Sequence, residues 1–319
     1  MNVDSQSGLF TTESALHEQG TLLTADASLQ AALGAFEVYM EAEGFSVNTR
    51  KAFSSDIRLL GKYLGIGQPV GEIGTKNLND FLNWLLYERG VPCSQKSYAR
   101  RVTTLKRFFS WLHQSGVLRE DPSAAIIQIS VTSPLPDLPS EEELQRALAV
   151  SSALRDGSGD TKPDARPHML MTLILDTGIK KSEAIALVPN HIDRQDPDEP
   201  FLFVRIKNPR LRYKERKIPL KQTWLEILDE YLFQYQPTDT LFTCTARNLE
   251  YVLSDVGEAA GLGQGRLSFE NLRWVSALRE YRQGVEPGTI RQRLGLSPVT
   301  WRETKKKLDR LMARQVGKT

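Results

Sequence analysis

The chain has 319 residues, 40% of them hydrophobic and 25% charged, with a formal net charge of +2, which fits a soluble globular protein long enough for two separate cores. No apolar run approaches the roughly 20 residues a spanning helix needs, and no leader-like apolar stretch accompanies a basic residue before Arg50, so neither a membrane partner nor export is expected. Two distant cysteines, Cys93 and Cys244, with no His/Cys cluster around them, argue against a disulfide framework or zinc site; no metal or small-molecule cofactor is expected, and a reducing cytoplasm fits.

Residues 1–28 contain Asp4, Glu13, Glu18 and Asp26 and no Lys or Arg. They read as a mobile acidic tail, or as an arm that orders on a partner. Beyond them, 41 basic residues face 35 acidic ones. Helical periodicity begins at Leu29 and runs through Leu33, Phe36 and Met40. Ser46 caps a second helix carrying Phe53, Ile57 and Leu60, a third carries Leu78, Phe81 and Leu85, and a fourth runs from about Ser94 to His113 with Val102, Leu105, Phe108 and Leu112. Four amphipathic helices with short loops make a bundle over 29–125. Pro122, Pro134, Pro136 and Pro139 mark the joint, placed at 126–137.

The second domain, 138–319, opens with Ser140 as cap and Glu141, Glu142 and Glu143 in the first helical turn. Residues 154–167 form a polar loop, and His168 to Leu187 reads as helix–turn–helix broken at Thr177-Gly178. Phe201 to Ile206 and Glu215 to Leu220 read as paired strands. After Trp224 the pattern is helical, with turns near Gln236, Gly261–Gly265 and Gly284. The expected fold class is mainly α with a small antiparallel β-sheet (α+β), in two domains.

Basic residues come in clusters. Residues 205–221 hold Arg205, Lys207, Arg210, Arg212, Lys214, Arg216, Lys217 and Lys221 against the single acid Glu215, more than solubility requires of a short β-ribbon. In the bundle, Asn48, Arg50, Lys51 and Arg58 fall on the polar face of the second helix, and Lys96, Arg100, Arg101 and Lys106 on that of the fourth. Such side chains fit double-stranded DNA, chiefly through phosphate contacts.

The order of elements and several local motifs resemble the tyrosine recombinases (phage integrases) over roughly 29–310. Arg100-Arg101 through Leu112 looks like the last long helix of that family's core-binding, SAM-like domain. Thr177-Gly178-Ile179-Lys180-Lys181-Ser182-Glu183 looks like the motif holding its first catalytic Arg, and Lys214 to Leu220 like the second strand of its hairpin. Glu270-Asn271-Leu272-Arg273-Trp274 falls on His-x-Leu-Arg-His, and Leu294-Gly295-Leu296 on Leu-Gly-His, with Lys305 nine residues after Leu296, where the nucleophilic Tyr belongs. The resemblance implies a core-binding domain and a catalytic-fold domain that clamp duplex DNA between them, with the second and fourth helices across the major groove.

In that family a Tyr attacks a phosphodiester in line, two Arg forks stabilise the transition state, and a hairpin Lys protonates the leaving hydroxyl. Here Lys180 replaces the first Arg and loses the bidentate fork. Arg273 is retained, while Glu270, Trp274 and Leu296 stand at His positions and Lys305 at the Tyr position; Lys207 is aligned with the hairpin Lys. His17, His113, His168 and His191 fit none of the family's His positions. No tyrosine follows Tyr281, so the expectation is a non-catalytic DNA-binding protein on the nucleoid, architectural, regulatory or accessory to recombination and integration. An active recombinase with a displaced nucleophile and a protein–protein module that has lost DNA binding are the alternatives. The final helix, with Lys305-Lys306-Lys307, Arg310 and Arg314 beside Leu308, Leu311 and Met312, is open to three placements. These are a second protomer or active recombinase, DNA, or its own domain.

Overall fold

The computed structural model describes residues 17–18, 21–127, 134–157, 162–196 and 198–316. The first part of the acidic tail (1–16) and the middle of the expected joint (128–133) lie outside the described residues. The chain divides into two compact units, Met1–Pro134 and Leu135–Thr319. Among the described residues no helix is long and apolar enough to cross a membrane.

The first unit begins with a short antiparallel pair, β1 (His17–Glu18) and β2 (Thr21–Leu22). Four helices follow: α1 (Leu29–Ala42), α2 (Val47–Leu64), α3 (Thr75–Tyr87) and α4 (Gln95–Gln114). Serine hydroxyls fix three of their starts. Ser28, Ser46 and Ser94 accept the backbone N–H of Ala31, Thr49 and Ser97 at 3.2, 3.1 and 3.2 Å, contacts worth about 1 kcal/mol each. The apolar stripes of all four helices meet in one core built on Phe36, Ile57, Phe81 and Phe108, where the Phe36 and Phe108 rings pack edge to face at 5.2 Å. The tail ends earlier than residue 28. The N–H groups of Val70 and Gly71 donate to the carbonyls of Ala27 and Ala25 at 3.0 and 2.8 Å, and that seam anchors residues 25–28.

The second unit holds α5 (Glu141–Asp156), α6 (Arg166–Thr177), the single turn α7 (Lys181–Ala184), α8 (Gln222–Tyr235), α9 (Ala246–Ala259), α10 (Phe269–Arg282), α11 (Pro287–Arg293) and α12 (Pro298–Val316). Helix α5 opens with a reciprocal cap: Glu143 N–H donates to Ser140 Oγ, and Ser140 N–H to Glu143 Oε2. Helix α6 buries Met169, Leu170, Met171, Leu173 and Ile174, side chains on all its faces, and so becomes the central rod. It ends at Gly178 in the left-handed conformation, φ 60°, where a Cβ would lie 2.7 Å from Leu294.

The sheet is antiparallel in the order β3 (Ile192–Asp193), β4 (Phe201–Val204), β5 (Arg216–Pro219). The two-residue β3 is too short to show a period, and sequence reading missed it. The β4–β5 ladder ends at Val204 opposite Arg216. Residues 205–215 are therefore a loop, not the expected basic ribbon. It contains a 3-10 turn, Pro209–Lys214, where Pro209 has no N–H for a ladder. A satellite core beneath α10 gathers Leu278, Ile290, Leu294, Trp301, Leu308 and Leu311. Helix α12 thus folds back on its own unit.

Candidate active-site cleft

Several expected site residues meet where α7, the start of β5, α10 and the turn after α11 converge. Glu183, whose side chain is only 5% exposed, is the hub. It faces inward because Gly178 stops α6 and turns the chain into α7. Arg216 grips it through both terminal nitrogens, Nη1–Oε1 at 3.0 Å and Nη2–Oε2 at 2.8 Å. The same guanidinium donates through Nε to the carbonyl of Arg293 at 2.6 Å and through Nη1 to that of Lys214 at 3.1 Å. Burial pushes the Glu183 carboxyl up, but the Arg216 pair, the Lys180 N–H and the Lys180 charge together bring it below its ordinary value.

Lys180 lies beside this pair. Its Nζ donates to the carbonyl of Gly295 at 2.8 Å and stands 3.7 Å from Glu183. Desolvation lowers its pKa to about 8, against the pull of Glu183 and with help from the charges of Arg273, Arg216 and Lys214. Gly295 has φ 59°, and a Cβ there would sit 2.7 Å from Arg216 Nη1, so only glycine permits the approach. Arg273 donates through Nη2 to the Leu294 carbonyl at 3.3 Å, while its Nη1 is buried without a hydrogen-bond partner among the described residues. Burial lowers its pKa to about 10. An oxyanion placed here would satisfy the open Arg273 donor and hold Lys180 in its charged form.

The other aligned positions are placed differently. Leu296 is half-buried against the satellite core, as is Trp274, whose ring faces Lys307 Nζ at 5.9 Å. Glu270 is exposed in the first turn of α10, and its charge bears on Arg273. Lys305 pairs with Asp309 at 3.5 Å, and the Tyr281 hydroxyl donates to the same carboxylate. The contacts of Lys305 therefore lie about 12 Å along α10 from Arg273, given about 1.5 Å of rise per residue. Asp309 also holds the Tyr281 phenol above its ordinary pKa, the reverse of an activated nucleophile. Lys207 is exposed on the β4–β5 loop; Lys214, at the loop's other end, is the lysine whose charge reaches Lys180.

Of the arginines assigned to DNA contact, Arg216 and Arg101 are turned into the protein interior and Arg100 shares an interior carboxylate. Arg216 is 8% exposed, for the reason given above. In the bundle, Asp56 is 3% exposed and accepts from Thr104 Oγ1 at 2.9 Å. Arg100 pairs with it at 3.0 Å and Arg101 at 3.6 Å. Arg101, 12% exposed, is turned wholly inward, while Arg100 keeps a solvent edge at 38%. A buried carboxylate needs cations, and these two supply them. Arg50 and Arg58 pair with Glu41 and Glu37 at the surface. Asn48, Lys51 and Lys96 are exposed on the same unit, as are Arg210 and Arg212 on the loop of the other. Among the described residues no group of His, Cys, Asp and Glu could hold a metal ion.

Comparison with known proteins bears on the fold that carries this cleft. Residues 34–116 match the family described as phage integrase, N-terminal SAM-like domain. The tyrosine recombinase XerD of Agrobacterium fabrum is 30% identical over 205 residues, covering 63% of this chain and 59% of that protein. XerD of Rhizobium meliloti is 25% identical over 280 residues, covering 83% and 87%. The first of these alignments spans less than two thirds of its relative's length. Among solved structures, the XerH site-specific recombinase bound to palindromic difH superposes with a TM-score of 0.69 at 18% identity, covering 98% of this chain and 89% of that one. The Tn1549 transposon integrase in complex with a circular intermediate DNA also gives 0.69, at 14% identity and 91% and 99% coverage. With a bundle matched by the SAM-like model, a mainly helical second unit carrying a three-stranded sheet, and the charges of Lys180 and Arg273 close enough to bear on one another, the chain resembles the tyrosine recombinases in sequence and in fold.

Proposed function

We propose that this chain binds duplex DNA as its recombinase relatives do but forms no covalent phosphotyrosyl intermediate. It would act on the nucleoid as an architectural, regulatory or accessory factor in recombination. The observation that carries the reading is that α12, the helix aligned with the nucleophile-bearing segment, contains no tyrosine. The raised pKa of Tyr281 and the packing of Leu296 into apolar surroundings support it. Lys180, Arg273 and Lys214 retain the charge to hold a backbone phosphate, whereas Arg216 is committed to Glu183. Asn48, Lys51 and Lys96 on the bundle, and Lys207, Arg210 and Arg212 on the loop, supply the remaining contacts.

A nicked suicide duplex tests the claim. Retained, salt-sensitive binding without a covalent adduct is expected, and an adduct that disappears in Tyr281→Phe would establish the displaced-nucleophile alternative instead. Replacing Lys207, Arg210 and Arg212 by Gln should reduce the slope of log affinity against log salt by about one for each phosphate left without its cation. Absence of binding at low salt would favour a protein–protein module.

The same reading gives a pH signature. A DNA phosphate beside Lys180 favours its charged form, so binding takes up a proton once the free protein has lost it. Above the Lys180 pKa of about 8, affinity should therefore fall, by at most about tenfold per pH unit, until the pKa in the complex is reached. Lys180→Arg cannot deprotonate in this range and should flatten the profile. Identical profiles for the two proteins between pH 7 and 9.5 would remove Lys180 from the interface.

A further inference from the structure

The β4–β5 loop carries a feature that phosphate binding does not require. Leu211 and Tyr213 are 37% and 66% exposed, on a 3-10 turn that holds no part of either core. Around them stand Lys207, Arg210, Arg212 and Lys214, with Lys214 Nζ 5.5 Å from the Tyr213 ring. At the base of the loop, Arg205 lies over Phe203 at 4.1 Å and Lys217 over Phe201 at 4.2 Å, which adds two more cations beside it.

The loop is also braced. Ile206 N–H donates to Glu215 Oε1 at 2.9 Å, tying its two ends together. Arg210 N–H donates to Asn208 Oδ1 at 3.0 Å, and Glu215 N–H to the Arg212 carbonyl at 2.8 Å. Beneath it, the buried Arg216 holds the Lys214 carbonyl, which fixes the loop to the cleft that contains Lys180 and Arg273. Two apolar side chains are thus exposed on a held support, alternating with cations along the chain, next to the cleft that holds Lys180 and the open Arg273 donor. Apolar side chains set among phosphate-binding cations are the means by which proteins enter a base step and unstack it. A preformed support lowers the ordering cost of doing so.

We propose that Leu211 and Tyr213 form a wedge that enters duplex DNA beside the phosphate held in the cleft and unstacks a base step. This rests on the DNA-binding reading above and adds to it a preference for duplexes that are easily deformed. The Tyr213 ring stacks on an opened base and Leu211 fills the space left by it, while the flanking cations hold the backbone on either side.

The test compares the full chain with Leu211→Ala/Tyr213→Ala on two duplexes of one sequence, one fully paired and one with a central mismatch. Wild type should prefer the mismatched duplex by roughly tenfold or more, because a mismatch has already met part of the cost, a few kcal/mol, of opening a base step. It should also raise the fluorescence of 2-aminopurine placed at several positions in the paired duplex. The double variant should lose the preference and the fluorescence change while its salt slope stays the same, because no cation has been removed. Tyr213→Trp should keep both. A double variant that behaves as wild type overturns the wedge, as does wild-type binding without preference or fluorescence change. A wild type that binds neither duplex at low salt overturns the DNA-binding reading itself, and the wedge with it.

Discussion

Replacing Arg216 by Met is expected to destabilise the second unit by about 3–5 kcal/mol, the scale for removing one partner of a buried ion pair. Both members are more than nine-tenths buried, so solvent does not screen the loss. The variant strands the Glu183 carboxylate and deprives the carbonyls of Arg293 and Lys214 of their donor. Urea unfolding near neutral pH measures this. Adding Glu183→Gln removes the stranded charge and should recover part of the loss. The sign with pH follows from the depressed Glu183 pKa. Its contribution is fully present above the unfolded value, near 4.5, and is lost as pH falls through the lower folded value. The gap between wild type and Arg216→Met should therefore narrow in acid. A shift below about 1 kcal/mol at neutral pH would mean that Glu183 is not held as the structure has it.

Leu308→Ala should cost about 2–5 kcal/mol, because Leu308 is fully buried at the centre of the satellite core between α12 and α10. That core is small, and its loss bears on α12 more than on the rest of the unit. Trypsin should then cut faster after Lys305, Lys306 and Lys307, ahead of global unfolding. Unchanged cleavage together with an unchanged urea midpoint would show that α12 is held by something other than this packing.

The bundle is legible in the sequence because each of its helices keeps an apolar stripe and three begin at a serine. Lys180 and Arg273 are legible through the motifs around them. The errors have physical sources. Arg216 reads as a surface charge within a basic run, although strand alternation places it on the same side as the buried Ile218 and opposite Val204. Asp56 falls between Phe53 and Ile57 in the apolar stripe of α2, and a buried acid there calls for cations within reach, which Arg100 and Arg101 supply. Both signals are present in the sequence. The placement of Lys214 in preference to Lys207 is not, because residues 205–215 follow neither period and the turn at Pro209 decides which lysine returns to the cleft. Nor does the spacing from Leu296 to Lys305 say where α12 turns each residue, which packing against α10 settles.

The bonds that close the cleft join distant parts of the chain. Arg216 reaches Glu183 across 33 residues and the Arg293 carbonyl across 77, and Lys180 reaches Gly295 across 115. Contacts of such span form only after the intervening segments have been brought together, at an entropic cost that local helix pairing does not carry. The cleft is thus expected to assemble after the folding barrier, not before it. Arg216→Met should consequently leave the refolding rate nearly unchanged and speed unfolding, with most of its effect on the unfolding arm of the chevron. The cleft proposed to hold a DNA phosphate would then be the last part of the unit to form and the first to come apart.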